Sequence, residues 1–238
     1  MKGLSRIRLT YYYPVLFVVF LALVLNVHKI SMTGGPLTLF SVNSFLLAFY
    51  LGPIMSGQKQ RIDDLARTVR SEGLAMLSVM VHDRELSDTH RAEIRKLIRQ
   101  YVAACSRAHR PGEGEREYER LLAYCLEIEA RDKGAQKVID TLVTNQQNRG
   151  QIATLLRGAV YSHEWVVLLV LFTITISYIV LIDYGNSVPL TIVAALLCAC
   201  LSLLLLILQK LNSLTHKRAK QVWEPFDRLL SSNLTQID

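Results

Sequence analysis

Four stretches of this 238-residue chain, 9–27, 36–58, 165–182 and 188–209, contain no Asp, Glu, Lys or Arg. At a rise of about 1.5 Å per residue, each is long enough as a helix to cross, or nearly cross, the roughly 30 Å hydrocarbon layer of a bilayer. The chain is 51% hydrophobic and 20% charged, with a mean hydropathy of +0.26. A soluble domain of this size cannot enclose that much apolar material, so the excess faces lipid. The pattern predicts an all-α, polytopic membrane protein with four transmembrane helices and a helical domain between the second and third.

Charge placement sets the expected topology. Arg6 and Arg8, the basic residues of the central region, and Lys210, Lys217, Arg218 and Lys220 all fall on one side if the chain crosses four times. The two opposite turns contain only Lys29 and Asp183 as charges. The positive-inside rule then puts both termini and the central domain in the cytoplasm. The expected organisation is 1–58 for helices one and two, 59–163 for the cytoplasmic domain, 164–210 for helices three and four, and 211–238 for a cytoplasmic C-terminal segment. A signal peptide is the weaker reading of the N-terminus, since no small-residue cleavage site follows the apolar run and a second run comes almost at once. Tyr11, Tyr12 and Tyr13 suit the headgroup level. Gly52 and Pro53 mark an expected kink in the second helix, and Pro189 fits the first turn of the fourth.

The central region changes to an amphipathic rhythm. Ile94, Leu97, Ile98, Tyr101, Val102 and Cys105 paint one helix face, with cap-type Ser87 and Asp88 before it and Pro111, Gly112 and Gly114 after. Leu121, Leu122, Cys125 and Ile128 mark a second helix, and Val138, Ile139, Leu142, Ile152, Leu155 and Leu156 a third. No strand is expected there. Cys105 and Cys125 lie on apolar faces and read as buried thiols of a reducing compartment. Cys198 and Cys200, two apart in a helix, point to different faces as small packing residues.

Little in the sequence points to catalysis. HExxH, GxSxG, Walker and GxGxxG patterns are absent, so the chain is read as not an enzyme. The six histidines are scattered, and neither His82 with Asp83 nor His163 with Glu164 faces its neighbour on a helix, so solvated roles are expected for them. Glu113, Glu115, Glu117 and Glu119 read as a solvated acidic segment rather than a metal site, and no metal or cofactor is expected. The net charge of +7 fits basic cytoplasmic flanks, and without aromatic interleaving or zinc-type spacing no nucleic-acid partner is implied.

The second span carries Thr38, Ser41, Asn43 and Ser44 with Phe45 and Phe49, polar groups at membrane depth without formal charge. Such groups face other helices or a water-filled cavity, because unsatisfied ones in hydrocarbon are costly. Ser41, Phe45 and Phe49 recur every four residues on one stripe. Copies of this helix around an axis would make a narrow, mostly apolar neck of the kind that gates by dewetting, with Thr38 and Ser44 as further pore-facing polar residues. Packing between helices of one subunit is the other reading of the same stripe.

Ser44-Phe45-Leu46-Leu47-Ala48-Phe49-Tyr50 is similar to the second-helix pattern of the bestrophins, in which a serine precedes an aromatic pair four residues apart. Trp223-Glu224-Pro225-Phe226 resembles their Asn-Pro-Phe after the fourth span. Arg95 to Tyr101 and His163-Glu164-Trp165 fall at comparable places. With the matching order of spans and domain, the chain resembles this family of pentameric chloride-type channels and the related bacterial bestrophin-like proteins. The resemblance implies a homopentamer in the membrane whose second helices line a pore, with Ser41, Phe45 and Phe49 at the neck and membrane lipids and permeant inorganic ions as its other partners. Ser41 stands where the family tends to carry an aliphatic residue. Asp227 is followed by Arg228, Leu229 and Leu230 instead of an acidic cluster, and one carboxylate cannot supply calcium's oxygen ligands, so no calcium gating is expected through this segment.

The leading functional expectation is therefore an oligomeric channel for small anions such as chloride. The alternative is a non-conducting membrane-anchored assembly or signalling protein whose helical domain binds a partner. Leu211, Leu214, Trp223, Phe226 and Leu230 give the C-terminal segment an apolar face that suits the membrane surface or the central domain equally.

Overall fold

The structure, a computed structural model, describes residues 9–31, 34–108, 114–129, 134–158, 160–185, 187–213 and 221–231. They form α1 (Leu9–Asn26), α2 (Gly35–His82), a 3₁₀ turn (Asp83–Glu85), α3 (Asp88–Ala108), α4 (Glu115–Glu129), α5 (Ala135–Arg157), α6 (Ser162–Leu181), α7 (Val188–Asn212) and α8 (Glu224–Ser231). The fold is all-α. Among the described residues there is no strand, only an isolated parallel bridge between Ile30 and Ile182. Two compact units divide the chain, one made of residues 1–60 and 159–215, the other of 61–158 and 216–238.

In the first unit α1 packs on α7 and α6. The buried face of α7 is made of Ala194, Ala195, Cys198 and Ala199, small side chains that let helix backbones approach closely where lipid supplies no hydrophobic drive. Cys198 is buried and Cys200 exposed, as their spacing requires. Val24, Ile179, Val180, Ala194 and Cys198 form one core cluster; Leu47, Leu51, Val160, Leu168 and Leu208 form another. Large apolar side chains also point outward, among them Val15, Val18, Val166, Val170, Leu190 and Val193. An apolar surface of that extent suits lipid rather than water. Three helical stretches, Gly35–Glu85, Ala135–Leu181 and Val188–Asn212, contain a segment long and apolar enough to cross a membrane, whereas the apolar helix Tyr11–Asn26 is shorter.

The two turns of this unit are tied together. The Ile30 N–H donates to the Leu181 carbonyl (2.9 Å), the Asp183 N–H to the Ile30 carbonyl (3.2 Å), and Lys29 Nζ to the Val180 carbonyl (2.6 Å). Each turn uses a glycine in the left-handed region, Gly34 at φ 67° and Gly185 at φ 59°, where other residues are strained. Pro189 lies in the first turn of α7; Pro53 lies inside α2 and Pro14 inside α1.

The second unit is a helical bundle with an apolar core of its own. Leu65, Val69, Met76, Val79 and Met80 of α2 are buried, with Ile94, Leu97, Ile98, Tyr101, Val102 and Cys105 of α3, the face that the periodicity predicts. The Ser87 carbonyl accepts the Arg91 N–H at the start of α3; Pro111 and Gly112 lie outside the described residues. Tyr118, Leu121, Cys125 and Ile128 of α4 and Val138, Ile139, Leu142 and Ile152 of α5 complete it, with Leu122, Leu155 and Leu156 half-buried.

The C-terminal segment joins this core. Trp223 and Phe226 are fully buried, and the Ser106 hydroxyl of α3 is bonded to the Asp227 carboxylate. A Cβ on Gly73 would meet Pro225 at 3.5 Å and Leu229 at 3.6 Å, ordinary van der Waals contact, so α8 lies close beside α2 at this point. Leu230 is half-buried; Leu211 is buried but belongs to α7 in the first unit, and Leu214 lies outside the described residues.

Asp83 corrects one expectation. Read as a solvated neighbour of His82, it is 0% exposed, and Arg95 of α3 holds its carboxylate through Nε (2.8 Å) and Nη2 (3.2 Å). The two meet because the 3₁₀ turn doubles the chain back, so the ion pair is set by the turn and not by helical spacing. Glu164 is likewise not merely solvated: its carboxylate accepts the Tyr161 N–H at 3.0 Å and caps α6.

Candidate functional site

Two faces of α2 divide its apolar half. Asn43, Leu47 and Leu51 are buried, whereas Thr38, Ser41, Phe45 and Phe49 are exposed. At 100° per residue the two sets lie on opposite sides of the helix. Phe45 is 67% and Phe49 68% exposed, and neither ring belongs to a core cluster of the first unit. Their rings stack at 6.1 Å between centroids, forming one continuous apolar surface.

The polar residues of the helix divide in the same way. Asn43 points inward, donating to the Leu171 carbonyl (3.1 Å) and the Thr175 hydroxyl (2.8 Å), so it serves α2–α6 packing. The Ser41 hydroxyl donates to the Leu37 carbonyl one turn back at 3.1 Å and Thr38 leans the same way on Gly34 at 3.5 Å. Bonds of this kind satisfy a hydroxyl without a partner helix or water. Ser44 is half-buried, and its enclosed hydroxyl has no hydrogen-bond partner; it sits at the border of the stripe, toward the packed face.

The second unit holds a buried polar cluster that no sequence motif announces. Glu72 of α2 is 0% exposed and Arg149 of α5 is 7% exposed. The Tyr101 hydroxyl of α3 donates to Glu72 Oε1, and Arg149 Nε stands 3.8 Å from the same oxygen. Arg149 Nη2 pairs with Glu115 at the start of α4, and the guanidinium lies 3.8 Å from the Tyr118 ring centroid. This corrects the reading of the acidic run as solvated throughout: Glu115 is half of an ion pair, Glu117 has an enclosed, unpartnered oxygen, and Glu113 lies outside the described residues.

Burial governs the electrostatics of the cluster. It raises the Glu72 carboxyl to about 7, against the lowering effects of the Tyr101 hydrogen bond and Arg149, with Glu115 adding to the rise. Burial first, then the Glu72 charge, holds Tyr101 well above its usual value. It pushes Tyr118 and Cys105 each up to about 12. For Arg149, burial alone would lower the guanidinium, but Tyr101, Glu115 and Glu72 outweigh it and leave the value raised. Such a group stays charged, while Glu72 is balanced between two states. The signal that could have singled out these residues is phase: Glu72 and Arg149 fall on the apolar faces of their helices. Among the described residues, no group of three or more His, Cys, Asp or Glu is placed to hold a metal ion.

The family model described as Bestrophin-like domain matches residues 13–214. A solved structure of a bacterial bestrophin homolog from Klebsiella pneumoniae is similar over 94% of this chain and 99% of its own, with a TM-score of 0.69 at 10% identity. A point variant of the Klebsiella pneumoniae homolog gives 0.68 at 11% identity over the same shares. Likeness at that identity speaks to the fold alone. No curated protein matches the sequence.

Proposed function

Since the chain belongs to the bestrophin-like family, a family of membrane channels, we propose that it assembles as a homopentamer in which α2 lines a central pathway for small anions such as chloride. The observation that carries this reading is the exposed stripe of Ser41, Phe45 and Phe49, set opposite the face that packs on α6. In a ring of subunits the stripe becomes the neck. Two phenylalanines and an internally satisfied serine form a constriction whose wetting decides conduction. Thr38 continues the same face on the N-terminal side.

The reading includes four crossings, with α1 as the first although it is the shortest apolar helix. It places both termini and the region 59–163 in the cytoplasm of a bacterial inner membrane, with the polypeptide divided at 58, 163 and 210. No charged residue lies in 36–58, so ion selectivity falls to hydration cost and to the basic balance of the chain. Bound lipid and permeant ions are the other partners, and no catalytic step is assigned.

Vesicles containing purified protein test this. Phe45→Ala combined with Phe49→Ala widens and wets the neck, so chloride flux should rise at least several-fold over wild type. An oligomer whose wild-type and double-variant vesicles both leak no faster than empty ones would overturn the channel reading. The non-conducting assembly, with the helical domain as its working part, would then stand.

A further inference from the structure

We propose that Glu72 is a proton-binding site that controls how the C-terminal segment is held in the second unit. Its carboxylate is fully buried, yet only one oxygen is engaged. Oε1 accepts from Tyr101 and faces Arg149 Nε at 3.8 Å, beyond hydrogen-bond reach, while Oε2 has no partner. A buried carboxylate with one incomplete ion pair is unstable as an anion, and its free oxygen is where a proton from bulk water binds.

Every element around it contributes to the balance. α3 brings Tyr101 and Cys105, α4 brings Glu115, Glu117 and Tyr118, and α5 brings Arg149. The C-terminal segment brings no charge to the carboxylate; Asp227 is bonded instead to Ser106. Charged Glu72 shares Arg149 with Glu115. Protonation leaves Arg149 to Glu115 alone and frees Tyr101 from an anionic acceptor.

That change reaches α8 through aromatic contacts. The Tyr101 ring meets Phe226 edge-on at 6.4 Å, and Phe226 meets Trp223 at 5.2 Å. Gly73, the residue after Glu72, faces Pro225 and Leu229 across a space that a single methyl group would fill. Trp223, whose indole N–H is buried without a partner, therefore reports on the protonation state.

The chain has two tryptophans, so a Trp165→Phe background leaves Trp223 as the sole tryptophan of the full-length protein, read selectively by excitation at the red edge where tyrosine does not absorb. Its fluorescence should change in one step between pH 5.5 and 8.5, with a midpoint near neutrality. Glu72→Gln should abolish the step. Tyr101→Phe, which removes a bond to the anion, should move the midpoint up by roughly half a pH unit or more, and Glu115→Gln should move it down. A wild-type trace without a step, a step that survives Glu72→Gln, or two shifts of the same sign would overturn the proposal. If Glu72→Gln does not fold, the opposed shifts decide. None of these readouts depends on ion flux, so they stand or fall apart from the channel reading.

Discussion

Two buried carboxylates of the second unit show how differently one residue type can be housed. Asp83 is answered by two hydrogen bonds from a single guanidinium, that of Arg95, whereas Glu72 has one hydroxyl and a cation at 3.8 Å. The difference predicts a pH profile. Glu72 titrates near 4.5 when unfolded and at about 7 in the fold, so between those values the folded state binds more protons than the unfolded one. Stability falls with rising pH wherever that holds. The contribution is present in full below about 4.5, shrinks through the interval and is gone above about 7, amounting to an order of 3 kcal/mol at 1.36 kcal/mol per unit. Thermal unfolding in detergent should show the second unit more stable at pH 6 than at pH 8, and Glu72→Gln should remove that slope. Neither environment was legible in the sequence. A carboxylate on an apolar face announces burial but not its partner, and Asp83 finds Arg95 only because the chain turns at Asp83–Glu85.

At the scale of the element, the helices were the most legible feature, since 3.6-residue periodicity is a local property. The apolar face of α3 is buried residue for residue as its spacing dictates. α2 was legible only in part, because a helix in lipid is apolar all round and hides its packing face. Its polar residues carry the distinction. Asn43 was grouped with Thr38, Ser41 and Ser44, but it alone reaches across to α6, a fact that depends on where Thr175 lies. Asn43→Val should therefore weaken the first unit by about 0.6–2 kcal/mol, the span found for interhelical hydrogen bonds in membranes. Leu47→Ala, at a site only 3% exposed, should cost about 2–5 kcal/mol through the cavity it leaves. Ser41→Ala removes only a bond to the helix's own backbone and should change stability by less than about 0.5 kcal/mol. Unfolding midpoints in mixed micelles give the ranking; a larger loss for Ser41→Ala than for Asn43→Val would reverse the assignment of the two faces.

For the whole molecule, what the sequence left open was the place of the last apolar residues, because an amphipathic segment does not reveal which apolar surface it covers. Within the second unit the answer is the bundle itself: Trp223, Phe226 and Leu229 are buried against residues far earlier in the chain. The core of that unit is therefore incomplete until residues 223–229 are in place. Removing 221–238 would uncover Gly73 on α2 and Tyr101 on α3, and the loss of two large buried aromatic side chains at about 3–5 kcal/mol each approaches the whole stability of a domain this size. The truncated chain should keep the slow amide exchange of α6 and α7, whose core clusters contain no residue beyond 211, while residues 61–158 exchange at least a hundredfold faster. Trp223→Ala should produce a smaller acceleration confined to the same residues. Unchanged exchange over 61–158 in the truncated protein would mean that α8 is an appendage and not part of the core, and the contacts of Tyr101 with Phe226 would then carry no structural weight.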